Sequence, residues 1–184
     1  AGMGADVTVL DRSLPRLRQL DEAFGSLFKT RYSTEGSTAE LVSGADMVIG
    51  AVLIPGAAAP KLVTRDGLRD MKPGAVLVDV AIDQGGCFET SRATTHDDPV
   101  YTVDGIQHYC VANMPGAVPR SSTLALGNAT LPFLLALADK GWRTACAEDP
   151  HLRAGLNVHA GQLTNAAVAA ALSLPAITPE EALA

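Results

Sequence analysis

The sequence predicts an α/β fold with a doubly wound parallel sheet. Three apolar runs rich in β-branched residues point to it: VTVL at 7–10, DMVIGAV at 46–52 and AVLVDVA at 75–81. None alternates strictly between apolar and polar residues, which is the pattern of strands buried on both faces. Segments with helical spacing separate these runs, and strand alternating with helix is the signature of a parallel sheet covered on both sides.

The elements follow in order. Ala1–Gly4 reads as a helix end with Gly4 as its cap, so an element is expected upstream of Ala1. The first strand covers Asp6–Asp11. Ser13 offers an N-cap and Pro15 suits the first turn of a helix whose apolar stripe is Leu14, Leu17, Leu20 and Phe24, with Gly25 as its stop. A short strand is expected over Phe28–Tyr32. Ser37 and Glu40 fit a capping box that opens a helix ending near Gly44. The strand at 46–52 runs into a Pro/Ala-rich loop, and a helix is predicted from about Thr64 to Met71. Lys72-Pro73-Gly74 turns the chain into the strand at 75–81, and two further strands are expected at Val100–Val103 and Tyr109–Ala112. From Ser121 to Lys140 the chain reads as one long apolar helix bent by Pro132 and closed by Gly141. Shorter helical patterns follow near Trp142–Glu148 and Thr164–Leu172. Two domains are therefore expected, 1–119 holding the sheet and 120–184 holding the later helices.

Bulk properties narrow the function classes. The chain has 184 residues, 47% hydrophobic and 18% charged, enough to bury a globular core. A net charge of -6 and the absence of a Lys/Arg run argue against a nucleic-acid partner. Gly, Pro, Asp or Arg interrupts each apolar stretch before the roughly 18 residues that span a bilayer. Cys87, Cys110 and Cys146 match neither a metal spacing nor a disulfide framework, which favours a reducing cytoplasm. The four histidines, His96, His108, His151 and His159, have no ligand spacing to a second donor on a helix face. Cys87 and Cys110 lack a basic neighbour and read as packing residues.

Three features can carry chemistry. Asp11 closes the first strand, where a dinucleotide-binding fold places the acid that holds the adenosine ribose; the alternative is a solvated Asp opening a turn. Asp83 lies beyond the end of AVLVDV and is followed by Gln84-Gly85-Gly86, glycines that let backbone approach a ligand. Asp79, inside the strand, is the competing acid and better suits a buried structural role. The segment from His108 to Pro119 is a rigid lip at the sheet edge in which Asn113 could donate to a carbonyl, or a loop that only crosses between domains.

Four stretches together resemble the alanine dehydrogenase and pyridine nucleotide transhydrogenase family: GADVTVLDRS, GADMVIGAVLIPGAAAPKLVT, MKPGAVLVDVAIDQGGCFETSRATTHDDPVY and HYCVANMPGAVPRSSTLALGNATLPFLLALADKGW. The last of these, with GLNVHAGQLTNAAVA, resembles the dehydrogenase side of the family. The resemblance covers nearly the whole chain. It implies a Rossmann-like sheet lacking its first β-strand and glycine turn, followed by C-terminal helices of the substrate domain. It implies NAD as cofactor and the reversible deamination of L-alanine to pyruvate and ammonium, in a cytoplasmic homohexamer.

Residue by residue, the resemblance implies that Asp11 holds the adenosine ribose and that Arg16 and Ser33 surround the adenine end. Val52 and Leu53 line the cleft, and the backbone of Val80, Ala81, Ile82 and Asp83 meets the nicotinamide half. Arg92 and the loop Val111, Ala112, Asn113 and Met114 complete the pocket, with Asp83 as the catalytic carboxylate. The partner histidine and the cations that grip the substrate lie in the family's N-terminal half, so this polypeptide by itself is expected to be inactive. Some relatives carry a metal-binding Glu and His on the long helix; Thr123–Lys140 has neither, and no metal site is expected. The competing readings are the NAD(H)-binding part of a transhydrogenase α subunit and a stand-alone nucleotide-binding or scaffold protein.

Overall fold

A computed structural model describes residues 1–52 and 60–184. The chain divides into two compact units, the first of residues 1–52 and 60–112 and the second, among the described residues, of 113–184. The division falls between Ala112 and Asn113, ahead of Pro119.

The first unit is mixed α/β with parallel pairing. Strand β1 (Thr8–Asp11) pairs in parallel with β2 (Lys29–Tyr32), and α1 (Leu14–Phe24) connects them. Ser13 caps α1 by accepting from the Arg16 N–H, and Gly25 ends it at φ 53°. Of the apolar stripe on α1, only Leu17 is buried, and Leu14 and Phe24 are about half exposed. Helix α2 (Glu35–Gly44) begins earlier than the Ser37/Glu40 spacing predicts. Thr34 is the N-cap, and Ser37 occupies the third helical position and closes the box through its hydroxyl. Serine replaces glutamate there because its short side chain also reaches the Tyr32 carbonyl at 2.9 Å.

A second sheet has the order β3-β4-β6-β5, with β3 at Met47–Gly50, β4 at Val76–Asp79, β5 at Val100–Val103 and β6 at Ile106–Tyr109. β3, β4 and β6 run parallel. β5 runs antiparallel to β6. The expected all-parallel set is corrected here, and the last strand ends at Tyr109 instead of beginning there. The cause is local: Asp104-Gly105, at φ 49° and 83°, makes a two-residue hairpin turn whose twist matches the strands it joins. The helix expected at 64–71 is instead a short 3₁₀ turn, Asp66–Asp70.

The core gathers around β4. Leu77, Leu68, Phe88, Ile106, Cys87, Cys110 and Val111 are fully buried. β3, by contrast, leaves Met47 56% and Ile49 62% exposed, because it pairs on one edge only and one face is uncovered. Its apolar run was expected to be buried on both faces.

In the second unit α3 spans Pro119–Glu148 with Pro132 inside it. Its one non-helical residue is Gly141, at φ 73° and ψ 159°. Gly127 and Pro132 do not interrupt the helix, so it holds an 18-residue window of mean hydropathy 1.3, long and apolar enough by composition to cross a membrane. The expectation that no stretch reaches that length is overturned. Length and composition alone do not put a helix in a bilayer, since core helices of soluble proteins meet the same criterion. Asp149 caps α4 (Pro150–Ala154), and the short hairpin β7 (Val158–His159) and β8 (Gln162–Leu163) follows. Asn165 caps α5 (Ala166–Leu172), and a Thr178/Glu181 capping box opens α6 (Pro179–Leu183).

Gly50 marks the tightest packing at the end of β3. A Cβ there would lie 2.1 Å from Cys87 Sγ and 2.7 Å from Phe88 Cζ, both fully buried. Gly50→Ala is therefore expected to lower stability by about 1–3 kcal/mol in urea unfolding. A loss below about 0.5 kcal/mol would mean that the Cys87 and Phe88 side chains shift aside at no cost.

Candidate functional site

The carboxyl end of β4 is where the chain's unusual chemistry collects. β4 ends at Asp79, and the Val80 N–H donates to the Gly50 carbonyl at 2.8 Å, extending the β3–β4 ladder by one step. The chain then folds into a tight turn. Gln84 and Gly86 both donate backbone N–H groups to the Ala81 carbonyl, and Gly85 donates to Ile82. Gly85 and Gly86 sit at φ 85° and 71°, which side chains with a Cβ rarely adopt.

The two competing acids have opposite surroundings. Asp79 has no exposed surface, and its carboxylate accepts from the Cys87 N–H at 2.9 Å, the Cys87 thiol at 3.3 Å and the Ser91 hydroxyl. Asp83 is exposed, and its carboxylate makes no hydrogen bond or ion pair among the described residues. Beside it, Gln84 Oε1 is buried without a hydrogen-bond partner. A buried acceptor left unpaired costs about 1–3 kcal/mol, so this atom calls for a donor from outside the described chain. Gln84 was not singled out in the sequence; its place directly after Asp83 in a glycine turn was the available signal.

A stack of planar groups borders the same segment. The Arg92 guanidinium lies 4.0 Å over the Tyr101 ring, whose other neighbour is the His108 ring at 4.9 Å. The Tyr101 hydroxyl donates to the Thr90 carbonyl and accepts the Arg92 N–H. His108 Nδ1 donates to the Ile106 carbonyl, which can only accept, and that fixes Nε2 as acceptor from the Thr90 hydroxyl in the neutral ring. Burial pushes the His108 imidazole below its ordinary pKa, opposed by the Ile106 hydrogen bond and by Asp79. Cys87 is pushed up to about 12, first by burial and then by Asp79, which leaves it a packing thiol and not a nucleophile.

A second cluster forms where β1 and β2 end. Asp11 Oδ1 accepts the Ser13 N–H at 2.7 Å, and the Asp11 carbonyl accepts the Ser33 N–H at 2.9 Å. Arg16 lies in the first turn of α1, its N–H on the Ser13 hydroxyl and its guanidinium on Gln19. Asp11, Ser33 and Arg16 are thus brought to one strand end.

The remaining predicted positions divide. Val52 is half-buried just beyond β3, and Leu53 lies outside the described residues. Val80 is exposed, whereas Ala81 and Ile82 turn into the core and can offer a ligand only backbone. Val111 is fully buried, paired across an isolated bridge with Thr94, so its side chain packs inward and lines no pocket. Ala112 is exposed at the end of the first unit, and Asn113 and Met114 begin the second. Among the described residues no group of three or more His, Cys, Asp or Glu is placed to hold a metal.

Residues 1–166 match the family model described as alanine dehydrogenase/PNT, C-terminal domain. The chain is similar to the alanine dehydrogenase of Halomonas elongata, at 66% identity over 94% of this chain and 47% of that protein. It is also similar to that of Mycolicibacterium smegmatis, at 60% identity over 95% of this chain and 47% of that protein. A solved L-alanine dehydrogenase structure superposes with a TM-score of 0.81 at 45% identity, covering 94% of this chain and 47% of that one. A transhydrogenase from Sinorhizobium meliloti gives 0.57 at 32% identity, covering 67% and 34%. The chain spans about half the length of the relatives it matches.

The buried His108 makes the first unit sensitive to acid. Its folded pKa is depressed, so the unfolded state takes up the proton first, below about 6.5. The stability held above that pH is lost as pH falls towards the folded pKa. Urea midpoints measured between pH 7 and 5 are expected to decline, and His108→Asn is expected to decline less steeply. Parallel slopes for the two proteins would remove His108 from the acid response.

Proposed function

The chain belongs to the alanine dehydrogenase/PNT C-terminal domain family, and we propose that it is the NAD-binding and C-terminal part of an enzyme that reversibly deaminates L-alanine to pyruvate and ammonium. The observation that carries this reading is 66% identity to an alanine dehydrogenase over 94% of the chain. The transhydrogenase reading accounts for less of the chain, with a TM-score of 0.57 against 0.81.

The finer fold assignment rests on the free strand edges. Among the described residues β1 pairs with β2 alone and β3 with β4 alone, both in parallel. A doubly wound, Rossmann-like sheet would place one further strand, with its glycine turn, between those two edges. The relatives have the length to supply it, since the chain spans about half of them. In this reading 1–119 is the nucleotide-binding domain and 120–184 is the helical end of the substrate domain. The whole enzyme is a cytoplasmic homohexamer, and no metal is required.

The residues present suit NAD on two observations. Asp11 spends one carboxylate oxygen on the Ser13 N–H and accepts no other hydrogen bond on its carboxylate among the described residues, leaving Oδ2 for the ribose hydroxyls. Gln84 Oε1 is an orphan acceptor beside Asp83, suited to an amide or ammonium donor. Asp11, Arg16 and Ser33 would hold the adenosine end, Val52 and Leu53 the cleft, and Val80–Asp83 backbone the nicotinamide half. Arg92, Ala112 and the Val111 backbone would border the cofactor, and Asn113 and Met114 are further candidate cofactor contacts.

NAD, when bound, supplies the two-electron oxidant for the alanine Cα. The rest is proton traffic. Net, water gives its oxygen to pyruvate, nitrogen leaves as ammonium, and one proton is released. Asp83 is exposed and unpaired among the described residues, so its carboxylate can take a proton from the attacking water and return it as the carbon–nitrogen bond breaks.

In the full-length enzyme, Asp83→Asn is expected to lower kcat for alanine by about 10²- to 10⁴-fold, the usual range for an acid/base group. Its folding should be unaffected, since no contact is lost. A kcat within twofold of wild type would refute the reading. Asp11→Ser removes the charge that repels a 2′-phosphate, and the ratio of kcat/KM for NADP over NAD is expected to rise by about tenfold or more. An unchanged ratio would take Asp11 out of the ribose site.

A further inference from the structure

The turn that carries Asp83 is gripped from two sides. From within, the Asp79 carboxylate holds the Cys87 N–H and thiol and the Ser91 hydroxyl. Gly86 makes this approach possible, because a Cβ there would stand 2.8 Å from Asp79 Oδ2 and 2.8 Å from Ser91 Cβ. From outside, the Lys61 ammonium donates to the carbonyls of Gly85 at 2.6 Å and Gly86 at 2.7 Å. The two left-handed glycines aim successive carbonyls at one point, and a cation there offsets the repulsion of their dipoles. Lys61 makes no ion pair among the described residues, so its charge serves these two oxygens. The segment after Lys61 continues the grip. Leu62 N–H donates to the Cys87 carbonyl, Glu89 N–H donates to Val63, and Arg65 N–H donates to the Glu89 carboxylate.

Between these anchors the turn from Ala81 to Gly86 is closed by its own hydrogen bonds, so a shift at Gly85 or Gly86 is carried to Asp83. We propose that Asp79 and Lys61 are positioning residues for Asp83, fixing the Ile82–Gly86 turn from its buried and its exposed side. This rests on the reading of Asp83 as the acid/base group. Neither residue touches the reacting atoms. Both act through where the Asp83 carboxylate stands.

The test uses the full-length enzyme, with Lys61→Met, Lys61→Arg and Asp79→Asn made alone and together with Asp83→Asn. Lys61→Met and Asp79→Asn are expected to lower kcat by about 10- to 100-fold, the cost of a displaced catalytic group. KM for NAD should stay within about threefold, and Lys61→Arg should restore kcat to within about threefold of wild type. The decisive result is coupling: added to Asp83→Asn, neither change should lower kcat further, because a group that acts through Asp83 has nothing left to position. Full additivity in that background overturns the proposal, as does an unchanged kcat in Lys61→Met. Should Asp79→Asn fail to fold, the exposed Lys61 decides the matter alone. An Asp83→Asn enzyme with wild-type kcat overturns the functional reading itself. A crippled Asp83→Asn with additive Lys61→Met overturns only the positioning.

Discussion

A carboxylate with no contact to water has to be given donors, and in this chain that requirement falls on Asp79. Burying an acid without partners costs several kcal/mol, and no cation is paired with it among the described residues. The donors come from the segment downstream, which must fold back over the end of β4 to deliver the Cys87 N–H and the Ser91 hydroxyl. That return path dictates much else. It needs glycine at 86, where a Cβ would strike Asp79 and Ser91, and glycine at 50, where a Cβ would strike Cys87. It seats Phe88 in the core and lets residues 62–63 pair with 87–89.

The same constraint separates two carboxylates four positions apart. Asp79 is spent on structure, and the turn beside it leaves Asp83 exposed, its carboxylate without a partner among the described residues. Groups intended for proton transfer benefit from that division, because an acid already engaged in strong hydrogen bonds cannot exchange its proton freely. The planar stack of Arg92, Tyr101 and His108 borders this segment and holds Arg92 at its rim through ring contact. Its interior member is a neutral imidazole, so the network carries a pH response of its own.

Much apolar surface is left open. One face of β3 shows Met47 and Ile49, and α3 shows Leu124, Leu126, Leu131, Leu134 and Leu135. The relatives are about twice as long as this chain, and among the described residues β1 and β3, in two separate sheets, each pair along one edge. An unpaired strand edge of this kind can accept a further strand.

What the sequence determined by itself were the elements written in local code: α1 from Ser13, Pro15 and Gly25, the strands β1, β3 and β4 from their apolar runs, and the family from its four long stretches. It also assigned Asp79 a buried structural role and placed Asp83 to face a ligand, because one lies inside a strand and the other beyond it. The Asp104-Gly105 hairpin was legible too, in a dipeptide that favours such a turn, yet the apolar runs on either side were read as parallel strands. The tertiary structure alone decided which apolar residues are covered, that Val111 faces inward, and that Lys61 and Asp79 meet the Asp83 turn from opposite sides. These depend on residues 8 to 25 positions apart in sequence meeting in space, as Asp79 meets Cys87, Lys61 meets Gly85 and Gly86, and Thr90 meets His108. Periodicity and capping report only what neighbouring turns of chain do to one another, so contacts of that range are settled by packing.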